Sequence, residues 1–377
     1  MKDFLQHYNM KISVLSPVYI GSGEKIGKKE YIYLPRTHRV IIPDMEKMYA
    51  GLRKTHSEKE YVDYMLKDGR YGLEVWLKQN GYKEKDFQAW ARYELDAGDR
   101  IAEDTRGRNQ KPMEIMSFIK DAYGLPYVPG SSLKGMIRTA LLAYEIRHNR
   151  GNFSDIKDQI QKNAPVCKSK NRTAHLSGET KKLETRAFHT LTKDGKNISN
   201  AVNCNLSGLI VSDSRPVDLK QLTLSQKIDY TLDGKEKPLP LMRETLIPGT
   251  EIYFEISIDR DLCPYNIETI LQALDEFQEN CYRYFYSRFK RGKNEAGIVW
   301  LGGGCGYLSK TVIYPLFGKD AVKVVDQIYR NTLGPNYNIH KHNRDVSLNL
   351  APHVCKCTRY KGELYDMGMG RIELLNL

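Results

Sequence analysis

At 377 residues the chain is long enough for two or three domains, and 41% apolar content suffices for a packed core. No apolar run approaches the ~20 residues of a membrane span, and the opening MKDFLQHYNMKI has no signal-peptide apolar stretch. A net charge of +12 and a pI of about 9.1 favour a polyanionic partner, nucleic acid first, while seven scattered cysteines suit a reducing cytoplasm better than a disulfide framework.

Residues 8–20, YNMKISVLSPVYI, are β-branched and aromatic and read as extended; the loop GSGEKIGKK follows at 21–29. YIYLP and RVIIP flank Arg36-Thr37-His38 and read as a hairpin. From Asp44 to about Gln110 the texture is helical and charged, with a capping box at Ser57-x-x-Glu60; we take 44–110 as a helical insertion. Leu133, Met136, Ile137, Ala140, Leu141 and Tyr144 recur at helical spacing, which predicts a helix over 131–148. Residues 150–200 carry eleven Lys and Arg against five acids, half the chain's surplus, in a segment of little periodicity; this reads as a basic loop, mobile without a partner. LSGLIVSDS (206–214) and TEIYFEISID (250–259) are strands, and Ile267 to Phe285 mark a long amphipathic helix. GIVWL (297–301) runs into GGGCGYLSKT, and HVCKCTRY with ELYDMGMGRIELL forms a terminal hairpin. The order gives an α+β class, a ferredoxin or RNA-recognition-motif core of βαββαβ type. That core would occupy 1–310, stretched by the helical insertion and the basic loop, with 311–377 as a small C-terminal β-containing portion.

Three turns draw attention. At PGSSLKG (129–135) a fixed φ, a sharp reversal and Ser131 or Ser132 as N-cap open a helix whose free N–H groups attract anions, with Lys134 and Arg138 along one edge. The plain alternative is a capped helix with solvated cations. Gly302-Gly303-Gly304-Cys305-Gly306, with Lys310 just beyond, can turn successive N–H groups into one concavity, or can be a packing turn. Neither nucleotide fingerprint fits: GxGxxG would need glycine at Tyr307, and GSGEKIGKK misses the phosphate-loop pattern at Ser22 and Lys29. In YRYFYSRFKRGK (282–293) aromatics alternate with cations and could stack bases, yet they continue a core periodicity. His353, Cys355 and Cys357 share one strand face; zinc would need His340 or His342, and a structural strand is the simpler reading. His38, near Tyr31 and Tyr33, offers acid–base chemistry for metal-free RNA cleavage, or is a turn residue. No catalytic constellation, metal site or cofactor motif stands out.

FIKDAYGLPYVPGSSLKGMIRTAL (118–141) and GGGCGYLSKT resemble two hallmarks of the RAMP proteins of CRISPR effector complexes, and VLSPVYIGSGEKI resembles that family's first strand and loop. KCTRYKGELYDMGMGRIELL is similar to the end of a type III-A (Csm) member. The resemblance implies a non-catalytic subunit that holds CRISPR RNA (crRNA), caps the backbone filament at the crRNA 3′ end and supports crRNA maturation. Its partners would be crRNA, the backbone RAMP subunits and host nucleases, with no membrane and no cofactor. The related backbone subunit cuts with an aspartate in its first loop; residues 21–43 hold none and offer Lys25, Lys28 and Lys29 instead. A metal-independent endoribonuclease is the alternative. The expected RNA path is lined by Gly21, Ser22, Gly23 and Lys25, by Ser131, Ser132, Lys134 and Arg138, and by Gly303, Gly304, Gly306 and Lys310.

Overall fold

In the strand Leu5–Val14, Met10, Ile12 and Val14 are buried while Lys11 and Ser13 lie on the other face, the period of two that a half-covered sheet requires. This strand is the centre of a five-stranded antiparallel sheet in a computed structural model that describes residues 4–67, 71–101, 113–166 and 169–375. The order across the sheet is Ile298–Trp300, Met369–Leu375, Leu5–Val14, Glu251–Asp259, Leu209–Val211. Two helices, Gly130–His148 and Ile267–Tyr284, cover one face with Leu133, Ile137, Leu141, Ile270, Leu274 and Phe277. The α+β class and the ferredoxin-like layer of two helices on an antiparallel sheet follow from this arrangement.

The fourth core strand is not GIVWL. Met369–Leu375 pairs with the first strand from Asn9↔Leu375 to Val14↔Gly370, and Ile298–Trp300 is displaced to the edge beyond it. A boundary at 310 therefore cuts through this sheet. The terminal hairpin is Val354–Tyr360 with Glu363–Asp366, after which the chain crosses to the first sheet.

A second, nine-stranded sheet is built on a hairpin, Leu222–Thr231 and Glu236–Leu246, closed through Asp233-Gly234 with Gly234 at φ +79°. Glu114–Phe118 and Gly21–Ile26 extend it on one side. Ala91–Asp96, Arg39–Pro43 and Ile32–Leu34 extend it on the other, beside Val354–Tyr360. At its centre Glu244, with a fully buried side chain, accepts from the Phe118 N–H at 2.8 Å and the Tyr93 hydroxyl at 2.6 Å, and pairs with Lys120. A buried carboxylate needs this many donors to offset its lost hydration.

Two regions depart from expectation. The described part of the insertion after Asp44 holds four helices, Met45–Lys54, Glu58–Leu66, Leu73–Gln79 and Glu84–Ala89, then returns a strand, Ala91–Asp96, to the sheet and adds a short helix, Gly98–Ile101; the part after Ile101 lies outside the described residues until Met113. Ser57 is the N-cap of its helix without a side-chain capping bond. The 150–200 segment is not a loop. Ser154–Asn163 and Ser177–Phe188 are helices that bury Ile156, Ile160, Leu183 and Phe188, and Arg186 is paired with Asp155. The i, i+4 pair Ile156/Ile160 was the helical signal beneath the charge.

Candidate nucleic-acid interface

The glycine turn exists because two backbones meet there. Gly303 N–H donates to the Tyr19 carbonyl at 2.7 Å, and a Cβ at Gly302, where φ is +83°, would lie 2.2 Å from that same oxygen. Tyr19 leads directly into Gly21–Ile26, so the glycine turn and the first loop are neighbours. In that loop Gly21, Ser22, Gly23 and Lys25 are exposed; Ser22 Oγ donates to the Ser117 carbonyl at 3.3 Å, and Lys25 has no partner among the described residues. Lys29 is spent differently. It caps the Glu58–Leu66 helix by donating to the carbonyls of Tyr64, Met65 and Lys67.

Beside the glycines lies a group of cations that sequence reading passed over. The Arg243 guanidinium sits 5.2 Å from the Tyr19 ring centroid and so close to Gly304 that a Cβ there would come within 2.8 Å of it. Among the described residues its buried Nε has no partner, and its Nη1 reaches only the Met367 sulfur at 3.6 Å, a weak acceptor. Burial pushes the Arg243 pKa down. Lys227 is also held below the usual lysine range, by burial first and then by Lys356 and Arg243. Lys356 donates to Asp229 at 2.7 Å and its stem lies against Gly306; Lys310 is near enough to lower the Cys305 thiol, which burial raises to about 11. Four cations thus face one carboxylate around a turn whose glycines leave no side chains in the way. Mutual repulsion and an unfilled guanidinium are what a bound anion would relieve. The pattern was readable: Lys227 and Asp229 alternate with buried Ile228 on one strand, and Arg243 follows buried Met242 on its partner.

The helix mouth does not join this group. Gly130 N–H donates to Asp213 Oδ1 at 2.7 Å, so a carboxylate of the chain already occupies the anion position. Lys134 donates to the carbonyls of Leu206 at 2.7 Å and Leu209 at 2.6 Å, and burial lowers its pKa. Arg138 pairs with Glu184 at 2.9 Å over the Phe188 ring. The mouth also stands at the Leu209–Val211 edge of the first sheet, four strand spacings or roughly 19 Å from the Ile298–Trp300 edge that feeds the glycine turn. Ser131 and Ser132 go with it. The three turns expected to line one path do not come together: the glycine turn and the first loop neighbour Arg243, Lys227 and Lys356, while the helix mouth stands apart as a structural junction.

Other candidates fall into place. The sheet face away from the helices is no stacking platform: Lys11 there is held between Glu251 at 3.6 Å and Glu373 at 2.8 Å, and the Tyr253 hydroxyl donates to Glu251. Phe285, Tyr286 and Phe289 of YRYFYSRFKRGK are buried, and Tyr286 stacks on Trp300 at 4.2 Å. His38, at φ 55°, has its Nε2 against the Gly98 carbonyl at 2.8 Å, the geometry of a turn residue. Cys355 and Cys357 are buried beside Asp366, which the Arg291 guanidinium and the Gly292 N–H already engage; His353 and His342 both meet buried Asp345. No helix among the described residues is long and apolar enough to cross a membrane.

Comparison with known proteins agrees with this architecture. The RAMP superfamily signature matches residues 11–309, and the chain belongs to that superfamily. It is similar to two proteins each described as CRISPR system Cms protein Csm5. One, from Streptococcus thermophilus, is 30% identical over 321 residues, 83% of this chain and 82% of that protein. The other, from Mycobacterium tuberculosis (strain CDC 1551 / Oshkosh), is 28% identical over 396 residues, 99% of each. Two solved structures share the fold at a TM-score of 0.62. A chain of a Csm–crRNA–target RNA ternary complex is 19% identical and covers 98% of this chain and 100% of that one; T. onnurineus Csm5 is 20% identical and covers 96% and 99%.

Proposed function

We propose that this RAMP protein is a crRNA-binding structural subunit of a type III-A CRISPR effector complex, without chemistry of its own. It caps the backbone filament at the crRNA 3′ end, contacts the backbone RAMP subunits and supports crRNA maturation alongside host nucleases. The observation that carries this reading is the unfilled Arg243 guanidinium among Lys227, Lys356 and Lys310, beside Gly303, Gly304, Gly306 and the exposed Gly21, Ser22, Gly23 and Lys25. Cations around a turn that carries no side chains read phosphate and sugar, which suits a protein that must accept any guide sequence. Similarity to proteins described as Csm5 supports the assignment to a type III-A particle. The bonded His38 gives no support to the endoribonuclease alternative.

Photocrosslinking of a reconstituted particle carrying 4-thiouridine-substituted crRNA tests it. Crosslinks are expected on Tyr19 to Lys25 and Gly302 to Lys310. Crosslinks confined to the acidic sheet face around Glu251, or none on this chain, would overturn it.

A further inference from the structure

On the far side of the helix layer lies a cavity of about 330 Å³ that the RNA path does not use. It opens between the ends of the two core helices and the short helix Ile313–Phe317. Its cations differ in how they are employed. Arg147 is tied to the Glu276 carbonyl at 3.0 Å, and Arg283 to Glu279. Arg150 has no partner among the described residues, and Lys157 has only the Phe317 ring, 5.4 Å away. Four cations line the wall with one carboxylate, Glu279, and Arg147 also pairs with the Glu276 carboxylate at 3.5 Å, which leaves Arg150 and Lys157 as the excess. The opposite wall is aromatic and apolar, with half-buried Tyr284 and buried Phe317.

Asn280 is the decisive residue. It is only 8% exposed, lines this cavity, and makes no side-chain hydrogen bond among the described residues. The amide atoms keep some contact with cavity water, whose place the polar edge of a ligand would take. An amide offers a donor pair beside an acceptor, which is the complement of a nucleobase edge.

We propose that this cavity binds one nucleoside monophosphate unit. The phosphate lies against Arg150, Lys157 and Arg283, and the base lies on Tyr284 with its edge on Asn280. The volume sits at the small end of ligand pockets, which run to roughly 300–1,000 Å³, and it suits a single nucleotide with no room for a strand to pass through. A peptide carboxylate would bring one charge to the cationic excess where a phosphate brings up to two. The same unit can arrive free or as the end of an RNA strand.

The test is isothermal titration of the full chain with AMP and UMP up to about 1 mM, the weak end of useful affinities. Saturable binding is expected. It should fall at least about tenfold in Asn280→Leu and in the Arg150→Ala, Lys157→Ala pair, the scale of a lost charge-assisted hydrogen bond. Because Asn280 is buried, thermal melts run alongside, and the surface pair keeps the test valid should Asn280→Leu unfold. Displacement of AMP by a 5′-phosphorylated RNA hexamer would support the proposal with a strand end as the source, and failure to displace would support it with the free nucleotide. No binding of either nucleotide, binding untouched in the surface pair, or inorganic phosphate competing as well as AMP would each overturn it. Arg243→Ala should leave AMP binding intact, so the outcome is separable from that of the glycine-turn interface.

Discussion

Two cation groups in this chain look alike in the sequence and end differently in the fold. Lys134 and Arg138 stand on a helix mouth with serines and glycines, yet Lys134 is spent on the carbonyls of Leu206 and Leu209 and Arg138 on Glu184. Lys227 and Arg243 sit in unremarked strands, yet Arg243 keeps a buried Nε unfilled and Lys227 is held down by burial and then by like charge. The difference teaches that a basic residue is available to a ligand only when the fold leaves its donors unspent, and spacing alone does not reveal that. Spent cations should carry stability and unspent ones affinity.

Lys120, the most deeply spent, sets the outer limit of that contrast. Lys120→Met leaves Glu244 buried without its countercharge and should cost about 3–5 kcal/mol in urea unfolding; a loss under about 1 kcal/mol would mean that the Tyr93 and Phe118 donors suffice alone. The pair Lys227→Ala, Arg243→Ala should weaken crRNA binding by about 2–3 kcal/mol in fluorescence anisotropy, with little change in melting temperature. Reversal of those two readouts would break the comparison. Lys134→Ala strips two carbonyls of their donor and should cost about 1–2 kcal/mol of stability while RNA affinity holds; an affinity loss instead would return the helix mouth to the interface. The smallest effect belongs to exposed Lys25: Lys25→Ala should lower the slope of log affinity against log salt by about 0.7, one phosphate's worth on a single strand.

Much of the fold was legible where pattern and packing agree. The hairpin around Arg36-Thr37-His38 forms with Ile32↔Ile41 in register, and the predicted helices at 131–148 and from Ile267 appear because their apolar stripes face one sheet. What escaped was the hairpin of the second sheet. TLSQKIDYTLDGKEKPLPLMRETL carries the Asp-Gly turn signal, but its charges, its two prolines and the polar residues in its buried half, Thr223, Ser225, Gln226 and Glu244, mask strands that are covered on both faces there. Lys227 and Arg243, on which the proposed interface depends, lie on those two strands. The glycine turn was found for its composition, and its purpose is partly the close approach of Tyr19, which no local pattern announces. The 150–200 segment was misread because net charge outweighed a short i, i+4 repeat.

The strand Met369–Leu375 has a consequence for biogenesis. Its Met369 N–H bonds to Ser16 Oγ across a separation of 353 residues, and the opening strand of the chain lies between it and Glu251–Asp259. On the ribosome, at 5–20 residues per second, that gap takes roughly 20–70 s to synthesise, during which Leu5–Val14 has at least one bare edge. A nascent strand left open for so long invites pairing with the wrong neighbour. Chaperone capture of the emerging strand would shelter that edge until the closing strand arrives.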